Sequence, residues 1–180
     1  MSAHFNIALY PQNPGLSQSL IELAGRNLSG QTDKYLLGKQ ALPHISLSQF
    51  VCQLDRAKEV WSAVQDLAGK PLSLQFSHIY IRAGVGVLHQ GKNWVGLSVV
   101  PTVSLLDLQK SVCARLQEIG VDSLTKPDNY FPHLTLGRLA KACAITISRM
   151  PEADFWQTVY PFELSLGRSN EIGAYIERLY

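Results

Sequence analysis

Pro43-His44-Ile45-Ser46-Leu47 and Pro132-His133-Leu134-Thr135-Leu136 match in residue type at every position and stand 89 residues apart. The chain has five histidines and many Ser and Thr residues, so one His-x-Ser/Thr match is expected by chance. Two copies that also share the leading proline, the middle aliphatic and the trailing leucine are a different matter. In a strand, residues i and i+2 point to the same face. His44 therefore shares a face with Ser46, and His133 with Thr135. Ile45, Leu47, Leu134 and Leu136 point the other way, into a core. Each proline precedes its strand, where a missing ladder donor does little harm.

Working outward, the flanking segments repeat in order. His4 to Tyr10 reads as a strand, and Asn13 caps a helix from Pro14 to Leu28, with Pro14 at its first position. Ser29 to Ala41 is polar, holds two glycines and reads as a loop before the strand His44 to Val51. A helix follows from Asp55 to Ala68, ended by Gly69 and Pro71. Ser73 to Val100 reads as two or three strands broken at Ala83-Gly84 and at Gln90–Asn93. Thr102 caps a third helix that ends at Gly120, and the strand His133 to Leu139 comes after another loop. An unassigned segment near Lys141 to Met150 precedes two final strands, Val159 to Gly167 and Glu171 to Leu179. Strand, helix, loop and His-strand thus occur twice, with no composition break between the halves. We read residues 1–180 as one α+β domain made of two intimately packed lobes.

The 180 residues are 46% hydrophobic and 17% charged, with a net charge of +2. Such a weak basic excess does not describe a surface that coats nucleic acid. It leaves a small anionic ligand or an RNA end, held by a few placed groups. Cys52, Cys113 and Cys143 are odd in number and form no CxxC, which fits a reduced cytoplasmic compartment and small buried side chains. Neither a signal peptide nor an apolar run of membrane-spanning length is present, so no membrane partner is expected, and the expected state is a monomer.

Two such strands related by an approximate two-fold would set two imidazoles and two hydroxyls around one space, which suits a phosphodiester. A neutral histidine can take a proton from an attacking water or hydroxyl, while a protonated one gives a proton to the leaving alkoxide. With an ordinary pKa near 6.5, histidine supplies both forms near neutrality. The hydroxyls can donate to non-bridging oxygens as charge builds there. Neither metal nor cofactor is required. Zinc is the chemical competitor, but HxH and HxxxH spacings are missing and a hydroxyl at i+2 is not a typical ligand.

The paired motifs resemble the HxTx/HxSx signatures of the 2H phosphoesterase superfamily, and within it the LigT-like group, the 2′-5′ RNA ligase and cyclic phosphodiesterase family. The resemblance implies a bilobal α+β fold of two pseudo-symmetric lobes, with antiparallel sheets flanked by helices around a central cleft. It implies metal-independent hydrolysis of 2′,3′-cyclic phosphates on cyclic nucleotides or RNA ends, or 2′-5′ RNA ligase activity. It carries acid and base roles onto His44 and His133, and phosphate binding onto Ser46 and Thr135. Which histidine is base depends on substrate orientation; our reading takes His133 as base and His44 as acid. Arg138 stands where ligase-like second motifs carry a basic residue. Gln49 occupies the matching place in the first motif, so a basic clamp would be one-sided.

Strand parity turns Arg138 away from the histidines unless a bulge near Gly137 re-aims it. Tyr130 and Tyr10 are candidates to stack a nucleobase, whereas Phe131 reads as packing. His4, His78 and His89 lack a hydroxyl partner and read as surface or strand residues. Arg82, Lys92, Lys126 and Arg168 are further candidates for a phosphate contact, and nothing in the sequence selects among them. The competing functional class is a nucleotide- or RNA-binding module of the same fold with little turnover.

Overall fold

The structure is a computed structural model, and residues 1–140, 147 and 149–180 are described. In chain order the elements are β1 (Ser2–Pro11), α1 (Pro14–Leu28), β2 (Thr32–Leu36), β3 (Ile45–Gln53), α2 (Ala57–Val64), β4 (Leu72–Leu74), β5 (Phe76–Ala83), β6 (Asn93–Val99), α3 (Val103–Glu118), β7 (His133–Leu139), α4 (Ala153–Gln157), β8 (Tyr160–Ser169) and β9 (Tyr175–Arg178). The strands form one antiparallel sheet in the order β4-β8-β1-β3-β7-β6-β5, with β2 added to β7 and β9 to β8. Its centre is a palindrome: β8-β1-β3 on one side answers β5-β6-β7 on the other. The halves meet where Ile45 pairs with Leu134, the middle residues of the two pentapeptides. The fold is α+β and bilobal, as expected from the duplicated pattern.

Capping explains the two long helices. Asn13 Oδ1 accepts from Gly15 N at 2.8 Å, and Thr102 Oγ1 accepts from Leu105 N at 3.3 Å, each satisfying one amide at a helix start. Helix α1 buries Leu16, Leu20, Ala24 and Leu28; α3 buries Leu105, Val112 and Leu116. The helices are exchanged between the halves. Helix α1, from the first half, lies on β7; α3, from the second half, lies on β3. Ile45, Leu47, Leu134 and Leu136 enter the core they share, each at most 2% exposed.

Both His-strands carry a bulge at the same motif position. Along β1 and β3 the register steps from Ile7↔Ser48 to Ala8↔Ser46, leaving Leu47 unpaired. Along β6 and β7 it steps from Val95↔Gly137 to Gly96↔Thr135, leaving Leu136 unpaired. A bulge inverts the alternation of side chains beyond it. The core face therefore runs Ile45, Leu47, then Phe50, and likewise Leu134, Leu136, then Leu139. By the same inversion Gln49 and Arg138, five residues beyond each histidine, turn to the cleft side of the sheet.

Three segments differ from the expectation. The stretch read as a loop contains β2, a strand paired with β7 only through Thr32↔Leu139 and Leu36↔Gly137. It escaped notice because it is irregular: Lys34 has a positive φ of 53°, and Tyr35 is its one buried side chain. The helix expected over Asp55–Ala68 is α2 flanked by 3-10 turns at both ends. The short helix α4 was not anticipated, while most of the unassigned stretch Lys141 to Met150, Cys143 included, lies outside the described residues. Among the described residues no helix is long and apolar enough to cross a membrane.

Two glycines give a paired stability test. A Cβ on Gly96 would lie 2.3 Å from the Leu134 carbonyl oxygen and 2.7 Å from Tyr80 Oη, where sheet backbone cannot yield. A Cβ on Gly25, inside α1, would meet nothing within 4 Å. Gly96→Ala should cost about 1–3 kcal/mol, and Gly25→Ala should add about 0.5–1 kcal/mol. Urea denaturation of the two variants checks both signs.

Candidate active site

The central pairing brings the two pentapeptides together, and His44, Ser46, His133 and Thr135 all line one cleft of about 410 Å³. Each histidine is held by the same contact. His44 Nδ1 lies 2.8 Å from the Leu42 carbonyl oxygen, and His133 Nδ1 lies 2.7 Å from that of Phe131. A carbonyl only accepts, so the proton sits on Nδ1 and leaves Nε2 bare in the neutral ring. The proline between the two partners keeps the carbonyl-bearing residue out of the helical region. The motif proline thus acts on ring orientation as well as on the start of the strand. Tyr175 stacks on His44 with centroids 5.0 Å apart, while Phe131 stacks on His133 and Tyr80 meets it edge-on, both at 5.3 Å.

Burial makes both rings hard to protonate. It pushes His44 down to about 4, against the Leu42 carbonyl, and repulsion from His133 adds to the fall. His133 is lowered too, by burial against the opposing Phe131 carbonyl and then by the Arg82 charge. Both rings are therefore neutral at pH 7. An anion between them would raise both.

The hydroxyls are backed differently. Ser46 Oγ accepts from Asn6 Nδ2 at 2.7 Å and, more loosely, from Gln49 Nε2 at 3.4 Å. With those lone pairs engaged, its own proton is free to point into the cleft. Thr135 lies beside the phenols of Tyr35 and Tyr80; burial raises both, Tyr80 to about 12. The Tyr35 hydroxyl feels Thr135 but completes no hydrogen bond of good geometry.

Other sequence candidates fall in different places. Tyr130 lines the cleft, but its hydroxyl donates to the Ser46 backbone carbonyl at 3.0 Å, bracing that strand. Tyr10, at the end of β1, does not line the cleft and lies under the Arg178 guanidinium. Arg138 is re-aimed by the bulge, yet it is only 2% exposed and stops short of the cleft. Its Nε donates to Asp33 Oδ1 at 2.9 Å, and its Nη1 donates to the Leu88 carbonyl and to His89 Nδ1 at 3.2 and 3.1 Å. It braces His89 and Trp94, which do line the cleft.

Sequence reasoning missed Tyr35, Tyr80, His89 and Trp94 as cleft residues. His89, expected at the surface or on a strand, lines the cleft. Only Gln49 carried a signal, through its match to Arg138 in the motif. The others reach the cleft through β2 and the β5–β6 hairpin, whose placement is tertiary. Among the described residues no three His, Cys, Asp or Glu side chains group in a way that could hold a metal ion.

The lowered histidines have a sign-definite consequence. The unfolded chain takes up protons as pH falls below about 6.5, the ordinary histidine value, and the folded chain does not. Stability is therefore greatest above that value and falls as pH drops toward the folded value of His44, about 4. Denaturation midpoints between pH 7.5 and pH 4 (an interval set by the cited shifts) should fall less steeply in His44→Gln than in the parent chain.

No family model matches the chain, and no curated protein matches it. Solved structures do. The chain superposes on E. coli LigT complexed with 3′-AMP with a TM-score of 0.66 at 15% identity, covering 94% of this chain and 90% of that one. A crystal structure described as a phosphoesterase gives 0.61 at 15% identity, covering 100% and 97%. The MHV ns2 PDE domain gives 0.53 at 16% identity, with 99% of both chains covered. The chain has the LigT-like fold.

Proposed function

We propose that the chain is a metal-independent phosphodiesterase that opens 2′,3′-cyclic phosphates on nucleotides or RNA ends by two-histidine acid–base catalysis. One observation carries the reading: two imidazoles with bare Nε2 atoms, each with a hydroxyl two residues on, line one cleft. The phosphate sits between them. Its negative charge raises both histidines, and their mutual repulsion admits one proton to the pair. The neutral ring takes a proton from water as the water oxygen bonds to phosphorus. The protonated ring gives its proton to the departing 2′ or 3′ oxygen, and a phosphomonoester is left. Ser46 and Thr135 donate to the non-bridging oxygens as their charge grows.

A ribose 5′-hydroxyl attacking in place of water, with the 3′ oxygen departing and taking the proton, would leave a 2′-5′ linkage, so hydrolysis and ligation share this centre. The two rings exchange roles when the direction reverses. In this reading Tyr130 supports the Ser46 strand, and Arg138 positions His89 and Trp94 without touching phosphate. That LigT was crystallised with 3′-AMP supports a nucleotide as ligand.

The test is hydrolysis of a nucleoside 2′,3′-cyclic phosphate in EDTA. His44→Ala and His133→Ala should each lower kcat by about 10²–10⁴-fold. Ser46→Ala and Thr135→Val should each lose about 10–100-fold. Full activity in both histidine variants would sink the assignment. Tight nucleotide binding by calorimetry with no product would point to a binding module instead.

A further inference from the structure

Four basic side chains were open candidates for a phosphate contact from sequence, and three have other positions. Lys92 Nζ holds Asp33 at 3.0 Å and Arg168 holds Glu177 at 3.4 Å; Lys126 does not line the cleft. Arg82 does line it and, among the described residues, carries no ion pair or hydrogen bond. By contrast Arg26, Arg56, Arg115, Arg138, Arg168 and Arg178 each face a carboxylate within 4.0 Å.

The guanidinium is nonetheless held in place. Its carbon lies 3.5 Å from the centroid of the Phe131 ring, and that ring stacks on His133 at 5.3 Å. Laid end to end, these distances put the guanidinium no more than about 9 Å from the imidazole. Stacking uses the face of the guanidinium and leaves its N–H edge for two oxygens of an anion such as a phosphate. A guanidinium that is oriented, exposed and without a carboxylate partner among the described residues, one ring away from the proposed phosphate site, suits a second anion of the same ligand.

We propose that Arg82, seated on Phe131, forms a second phosphate subsite that takes the phosphate on the 5′ side of the nucleoside carrying the cyclic phosphate. This rests on the phosphodiesterase reading above and narrows its substrate class to ligands with two phosphates along one ribose. Such a phosphate is either a terminal 5′-phosphate or the next internucleotide link of an oligoribonucleotide. Arg82 is exposed at the edge of the cleft, so an oligonucleotide continuing beyond it meets solvent, which favours the second.

The test compares adenosine 2′,3′-cyclic phosphate, its 5′-phosphorylated form and the dinucleotide ending in the same cyclic phosphate. Parent protein should prefer the two substrates with a second phosphate, the dinucleotide most. Arg82→Ala should cut kcat/KM on these by about 10–100-fold and on the first substrate by no more than about threefold. On the dinucleotide, the slope of log kcat/KM against log salt should shrink by about 0.7. Arg82→Lys keeps the charge but not the stacked plane and should fall between. The acid limb of the pH profile should move up in Arg82→Ala, because the charge depressing His133 is gone. Equal losses on all three substrates would overturn the subsite, since Arg82 would then reach the reacting phosphate. Unchanged rates on all three would overturn it as well, leaving the guanidinium as packing. If the parent turns over none of them, the phosphodiesterase reading itself fails, and that outcome is distinct from either.

Discussion

Each catalytic candidate depends on a hydrogen bond from its imidazole to a carbonyl two residues back in its own chain. That bond selects one tautomer, aims one bare nitrogen into the cleft, and partly opposes the burial that would otherwise strip the ring of basicity. The rest of the molecule arranges two such units face to face. The pairing of Ile45 with Leu134 supplies the meeting point, and the apolar positions of both strands supply the anchoring. Neither half can tilt without dragging core side chains that are almost fully buried.

The two bulges show how a repeated motif can produce an asymmetric site. Both strands invert their alternation at the same motif position, and both deliver the fifth residue after histidine to the cleft side. In one half that residue is Gln49, which reaches the motif hydroxyl. In the other it is Arg138, already engaged by Asp33, so it braces an aromatic wall instead. Amides back one hydroxyl and phenols stand by the other. The cleft therefore presents two similarly held imidazoles in inequivalent surroundings.

Much of this was legible in the residues. Helix α1 and strand β7 fall where capping and alternation put them, and each histidine shares a face with its hydroxyl because alternation holds over those two residues. The bulge that turns Arg138 was conditional on sequence alone and needed the register to settle it. Tyr35 was invisible because β2 makes only two ladder pairs and contains a left-handed lysine; no alternation announces such a strand. Arg82, His89 and Trp94 were unreadable for another reason. Their places depend on how the β5–β6 hairpin leans over the cleft, and that is set by contacts to Asp33, Arg138 and Phe131 from distant parts of the chain.

The exchange of helices between the halves bears on how the chain acquires its shape. Helix α1 forms early in the sequence, yet the strand it covers lies more than a hundred residues on; α3 follows β3, the strand it covers, by about fifty residues. A ribosome-tethered first half would expose the apolar side of β3 until α3 emerged, and α1 would wait for β7. Contacts of such long range slow folding and lengthen the exposure of sticky surface. Duplication here did not yield two modules that can be separated: each repeat completes the other, and an isolated half would lack its own cover.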